Sequence, residues 1–261
     1  MSTLLFYKNV VALDREQHKS LRLKSVTHMR FAAEATAIPI VLGEFVDVAR
    51  QCPIAFLRIA EGGGLLPVAL VGLPGGRNVY LDAKGNWDTT YVPAFVRRYP
   101  FVFAETGPDQ LTLCIDRDFE GFNESTGAVL FEAGGEPSVT LQGALGLLSE
   151  FQRQHGLTQD FVKRLEATGI LSESSASASL VDGRSLTLQG LWVIDEAKLA
   201  GIPEATLKEW FASGELAMVY AHLLSMGNLV ELLRRQGPAA VAAPASAKKK
   251  SRRLTTPGED N

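Results

Sequence analysis

Eleven residues, Tyr91 to Phe101, read Tyr-Val-Pro-Ala-Phe-Val-Arg-Arg-Tyr-Pro-Phe and place four aromatics, two prolines and an arginine pair in one short span. Ordinary packing rarely needs that combination. Pro93 and Pro100 each fix a backbone angle, so the residues between them sit in a preset frame. Phe95 and Tyr99 are four apart, and one helical turn would place them on one face. Arg97 and Arg98 would then point elsewhere. Two readings follow. The segment is a rigid clamp for a carboxylate or phosphate, which arginine forks hold bidentately. Or it is a turn pinned by aromatics, its arginines paired with acidic groups of the body. Tyr91, Phe95, Arg97, Arg98 and Tyr99 are the candidate binding residues.

A second constellation is Cys114, Asp116, Asp118 and Glu120, with Glu124 beyond. In a strand all four would face one way. A thiolate with carboxylates could bind a divalent metal. His18 or His222 would have to be brought near by folding. The bland alternative is a solvated strand end. The four histidines, His18, His28, His155 and His222, have no metal spacing. His222 and Ser225 lie three apart, but no acidic residue completes a triad on that face. Gly62-Gly63-Gly64 lacks the Lys-Ser/Thr of a phosphate loop, and no Gly-x-Gly-x-x-Gly opens a helix. No catalytic residue, cofactor or metal is assigned.

The bulk numbers agree with a globular chain. It has 261 residues, 46% hydrophobic and 21% charged, enough to bury a core without disulfides or metal. Cys52 and Cys114 form no disulfide framework and read as buried thiols. The net charge is −3, but it is unevenly spread. Residues 237–261 carry +3 through Lys248, Lys249, Lys250, Arg252 and Arg253, and the remaining 236 carry −6. An acidic body argues against nucleic acid as partner of the folded domain, although the basic tail could touch an anionic surface. No signal peptide and no membrane span is read, so a cytoplasmic location is expected, with the cell surface reached only by a signal-independent route.

The elements that must position these residues read as α+β. A β-rich N-terminal and central part packs with a helical C-terminal part in one compact domain, residues 1–236. Expected strands are Ser20–Lys24, Ile54–Ile59, Leu65–Leu73, Leu111–Asp116, Ala128–Phe131 and Leu186–Ile194. Pro67 suggests that its strand is an edge or carries a bulge. A short helix runs from Glu44 to Gln51, stopped by Pro53. Further on, Ser138 or Thr140 caps a helix ending at His155–Gly156, and Thr158 opens another closed by Gly169. Ser172 to Ser179 reads as a surface loop. Pro203 starts a helix that ends near Gly214. Glu215 to Arg235 forms the longest helix, with Leu216, Val219, Tyr220, Leu223, Gly227, Val230 and Leu233 as its buried stripe. Residues 237–261, rich in Ala, Pro and Lys, are expected to be disordered.

The sequence resembles the bacterial SapC family. The resemblance rests on Val10–His18, Pro39–Phe45, Cys52–Phe56, Val79–Trp87 and the Tyr91–Phe101 segment. It continues through Leu113–Asp116, Leu130–Glu132, Gly134–Pro137, Gly190–Leu199 and Ala217–Leu229, spanning roughly residues 5–235. It implies association with a bacterial surface layer and a place beside TonB-dependent receptors and tryptophan-halogenase-like proteins. It brings no catalytic residue. The resulting expectation is a non-catalytic accessory protein that binds a protein or peptide and could form a homo-oligomer. The rivals are a metal-dependent enzyme using Cys114, Asp116 and Asp118, and a structural surface component.

Overall fold

Ile54–Arg58 (β4) is apolar until its last residue and lies at the centre of a five-stranded antiparallel sheet. Such a run has no polar face to offer water and must be covered on both sides. Leu65–Leu70 (β5) pairs with it on one side, with Ala37–Pro39 (β3) beyond. On the other side lie Ser185–Ile194 (β11) and Leu171–Ser179 (β10). The computed structural model describes residues 4–59, 63–107, 110–179 and 185–236. The tail 237–261 lies outside them.

Two smaller antiparallel sheets complete the β-structure. In one, Val10–Ala12 (β1), Gln110–Asp116 (β7) and Phe101–Gly107 (β6) lie side by side in that order. Its register sets Val10 against Asp116 and Phe101 against Ile115. In the other, Phe122–Asn123 (β8) and Ala128–Val129 (β9) flank Arg22–Leu23 (β2). The helices are Phe45–Ala49 (α1), Ala94–Arg97 (α2), Val139–Thr168 (α3), Glu196–Leu199 (α4), Glu204–Ser213 (α5), Glu215–Ser225 (α6) and Leu229–Arg235 (α7). Antiparallel sheets with helices concentrated in the C-terminal half make the expected α+β domain.

Four details depart from the sequence reading. The two helices expected at 138–155 and 158–169 are one helix of 30 residues, α3, the longest among the described residues. Its caps are as expected: the Ser138 hydroxyl accepts from Leu141 N–H, and Gly169 takes the left-handed conformation at φ 69°. Its middle does not break. Gly156 costs a helix about 1 kcal/mol, but Leu148, Phe151, Phe161, Val162 and Leu165 are all buried and outweigh it. Thr158 does not cap. Its hydroxyl donates to Gln154 O at 2.6 Å and accepts from Leu42 N–H at 2.7 Å.

Ser172–Ser179 is strand β10, not a loop, because it pairs with β11 along almost its whole length. Its serine-rich composition hid a pairing that only the partner supplies. Pro67 lies in β5, between β4 and β3, and not at an edge. Its carbonyl accepts from Ile40 N–H just past the end of β3, so its ring nitrogen faces a side where the ladder has already stopped. Finally, the helix expected over 215–235 is α6 and α7 joined by a 3₁₀ turn, Met226–Asn228. Its buried residues are Glu215, Val219, Ala221, His222, Ser225 and Leu232, while Tyr220 and Val230 are exposed. The stretch is apolar nearly all round, so periodicity alone does not say which face turns inward.

Two apolar cores result. The main one joins β3, β4, β5 and β11 with α1 and the C-terminal helices. The second gathers Leu21, Phe101, Ile115, Phe122, Leu130, Phe131, Leu141 and Leu148. α3 serves both, with Leu141 and Leu148 in the second and Phe151, Phe161, Val162 and Leu165 in the main core.

Candidate functional site

The segment 91–101 begins with Pro93 at the entry to α2, where its carbonyl accepts from Val96 and Arg97 N–H. It ends at a cis Tyr99–Pro100 peptide, after which β6 starts. Two buried carboxylates hold its ends.

Glu44 holds the first. It lies on a 3₁₀ turn, Leu42–Glu44, and is buried. Its Oε1 accepts from Tyr91 OH at 2.8 Å and from Ala94 N–H at 2.5 Å, and its Oε2 from Val41 N–H at 3.0 Å. Burial raises its pKa above the ordinary carboxylate range, against the pull of these bonds and of Arg97. Burial and the neighbouring Glu44 charge likewise push the Tyr91 phenol up to about 12.

Asp116 holds the second. Its Oδ1 accepts from Asn9 N–H at 3.0 Å and Asp118 N–H at 3.3 Å, its Oδ2 from Lys8 N–H at 3.0 Å and Tyr99 OH at 2.9 Å. Burial pushes its pKa up, but these four donors outweigh it and hold the group below its ordinary value. Asp116 thereby ties the chain's start to β7. Phe6 and Tyr7 follow it inward, with Phe6 5.4 Å from Phe95 and 6.5 Å from Tyr99 between ring centres. Phe95 and Tyr99 thus meet through a shared partner. Tyr99 also stacks on Phe31 at 4.1 Å.

The two arginines part company. Arg97 is exposed, its Nε donating to Val92 O at 2.9 Å and its Nη2 to Tyr91 OH at 3.2 Å. Arg98 is buried, contrary to the expectation that both point away from the packed face. Its guanidinium lies over the rings of Phe95 (4.1 Å) and Phe151 (4.7 Å) and hydrogen-bonds Tyr7. Burial lowers its pKa, and Tyr7 partly restores it. A flat, weakly hydrated guanidinium suits a site between two rings, where an ammonium would lose its water.

Arg98 and Phe95 border a cleft of about 490 Å³ between α3, the five-stranded sheet and the sheet of β1, β7 and β6. Its walls are mostly apolar, from Ile40, Leu66, Phe103, Leu148 and Val162 among others. Its polar groups are few: Arg98, Glu105, Gln152, His155, Thr158 and Gln159. The His155 ring is parallel to Phe151 at 6.3 Å. Burial, then the Arg98 charge, depresses its pKa, which favours the uncharged ring. That is the make-up of a binding cleft: an apolar body with a small number of orienting polar groups.

The alternative metal constellation does not assemble. Among the described residues, no group of three or more His, Cys, Asp or Glu is placed to hold a metal ion. The Asp116 oxygens already accept four hydrogen bonds, and burial raises the Cys114 thiol's pKa. Asp118 accepts from Asn9 Nδ2, and Glu120 lies 3.4 Å from His28. His18 is engaged locally with Asp14, and His222 sits in the main core, accepting from Ile194 N–H.

Of the five candidate binding residues, Phe95 and Arg98 line the cleft, Tyr91 and Arg97 form a cluster on Glu44, and Tyr99 joins the aromatic group on Asp116. Sequence reasoning missed Glu44, Tyr7, Phe151 and His155. Glu44 had a signal, as the one acid in the otherwise apolar run from Ala37 to Val46. A lone carboxylate in such a run is usually buried and hydrogen-bonded.

Fold and site together define an α+β protein whose arginine-aromatic segment, tied by two carboxylates, borders an apolar cleft. The SapC family model matches residues 13–232, and the chain belongs to the SapC family. No curated protein and no solved structure matches it.

Proposed function

We propose that this SapC-family chain is a non-catalytic binding protein whose cleft takes an apolar segment of a protein or peptide. Arg98, and secondarily Gln152 and Gln159 at the rim, orient that segment by hydrogen bonds. The observation that carries the reading is the cleft itself: about 490 Å³ of mostly apolar wall with a cation seated between Phe95 and Phe151. Aromatic and arginine side chains are the usual anchors of such contacts. The partner belongs to cell-surface assembly, TonB-dependent uptake or a linked modification system, as the family resemblance implies, and the protein acts from the cytoplasm.

Selection from a random displayed-peptide library tests this. The expected binders carry an apolar anchor beside an acidic residue. Ala104→Trp fills the cleft from β6 and should weaken them by about tenfold or more, as loss of one anchor does. Binders indifferent to both Ala104→Trp and Arg98→Met would overturn the reading, provided thermal melts show both variants folded.

A further inference from the structure

The C-terminal helices present an apolar face that nothing covers among the described residues. From Glu215 to Arg235 they form a helical stretch of 21 residues whose most apolar 18-residue window has a mean hydropathy of 1.4, long and apolar enough to cross a membrane by length and composition. Its inner side packs on α1, β4 and β11, yet only 28% of its most apolar window is buried. Its outer positions are Ala217, Tyr220, Leu224, Gly227 and Val230. Their spacing of three and four places them in one stripe. Leu224 is 76% exposed, Val230 59% and Tyr220 51%. Nothing charged interrupts them, since no Asp, Glu, Lys or Arg occurs between Glu215 and Glu231. α5 leads into α6 through Gly214 and adds Phe211, 77% exposed. At ~200 Å² for a full ring, Phe211 and Tyr220 alone leave roughly 250 Å² of aromatic surface in water. Exposed apolar surface of that order is ordinary in size for a monomer, and such surface is often functional.

A second, independent feature bears on what covers it. The chain continues past α7, and its basic residues Lys248, Lys249, Lys250, Arg252 and Arg253 fall within six positions. Eleven residues separate them from Gln236. The rest of the chain carries −6.

We propose that the stripe and the basic run together bind an anionic lipid surface, with the helix lying along the headgroups. Neither signal is strong alone. An apolar face and a polybasic segment acting together give stable attachment. The −6 of the rest of the chain gives no attraction to such a surface, so the basic run supplies the electrostatic part of the attachment. A second copy of the chain would cover the stripe equally well in apolar terms, but it would leave the basic run without a role.

The test uses the full chain, with sedimentation on phosphatidylglycerol-containing vesicles against pure phosphatidylcholine, and light scattering for its mass. Binding to the anionic vesicles alone is expected, weakening as salt rises. Leu224→Glu and, separately, replacement of the five basic residues by Gln should each reduce binding by about tenfold or more. Leu224 is exposed, so its variant keeps the fold, and a Tyr220→Ser variant should behave alike. Absence of anionic-vesicle binding, or binding that none of these variants alters, overturns the proposal. So does a dimer that Leu224→Glu splits while no vesicle binding occurs, because the stripe then belongs to a second copy.

Discussion

The two ends of the segment 91–101 are secured by the same device with opposite electrostatics. Glu44 and Asp116 are both buried carboxylates that accept from a tyrosine and from backbone N–H groups. Yet burial lifts the Glu44 pKa above its usual value, and hydrogen bonding holds Asp116 below its own. Glu44 lies deep in the main core and has three donors. Asp116 lies at the end of a small sheet among fewer neighbours and has four. Desolvation wins at the first site and donors win at the second. A carboxylate without exposed surface is therefore not always a strained one, and the number of donors aimed at it decides.

The comparison breaks most visibly at Asp116. Asp116→Ala strands three backbone N–H groups and the Tyr99 hydroxyl, and should cost about 4 kcal/mol in urea unfolding. Asp116→Asn should recover only part of that, because every partner is a donor. Stability from this group is present above the ordinary carboxylate value and lost as pH falls through it toward the depressed folded value.

His222 extends the comparison to a base. It is buried, accepts one bond from Ile194 N–H at 3.0 Å, and burial brings its pKa to about 4. Here the unfolded chain takes up the proton first. Stability should therefore fall by roughly 3 kcal/mol between about pH 6.5 and pH 4. Urea melts across that range would measure it, and His222→Gln should flatten the slope.

Glu44→Gln sharpens the contrast at lower cost. The amide carries no charge to desolvate, so a loss of about 1 kcal/mol is expected, well under that of Asp116→Asn. Equal losses would mean that the two sites do not differ as argued. The wild-type Glu44 contribution runs opposite to Asp116: full below the ordinary glutamate value, and declining as pH rises through its raised folded value. The smallest effect belongs to Arg97→Ala. An exposed arginine held by Tyr91 and a carbonyl should cost no more than about 0.5 kcal/mol, in contrast to its buried neighbour.

What the sequence made legible follows from how local each signal is. β4 and β7 were readable because apolar runs and alternation are written in consecutive residues. The caps at Ser138 and Gly169 were readable because capping is a property of one residue and its next three or four. β10 was not, because only its pairing with β11 makes Ser172–Ser179 a strand. The continuity of α3 across Gly156 was hidden for the same reason, since it depends on Phe151 and Phe161 finding partners far away in sequence. Tyr91–Phe101 stood out, but the fates of Arg97 and Arg98 depended on a cleft built largely by α3. The pair looked equivalent in sequence, and folding made one of them part of an interior wall.

The reach of α3 has a consequence for how the molecule comes apart. At about 1.5 Å per residue it is a rod of roughly 45 Å, and it is a structural member of both cores. Neither core can melt while keeping its share of the rod intact. Loss of order at one end thus propagates along a single cooperative element, and the two cores should unfold in one transition and not in sequence. Amide protons in β4 and in β7 should accordingly exchange at a common limiting rate.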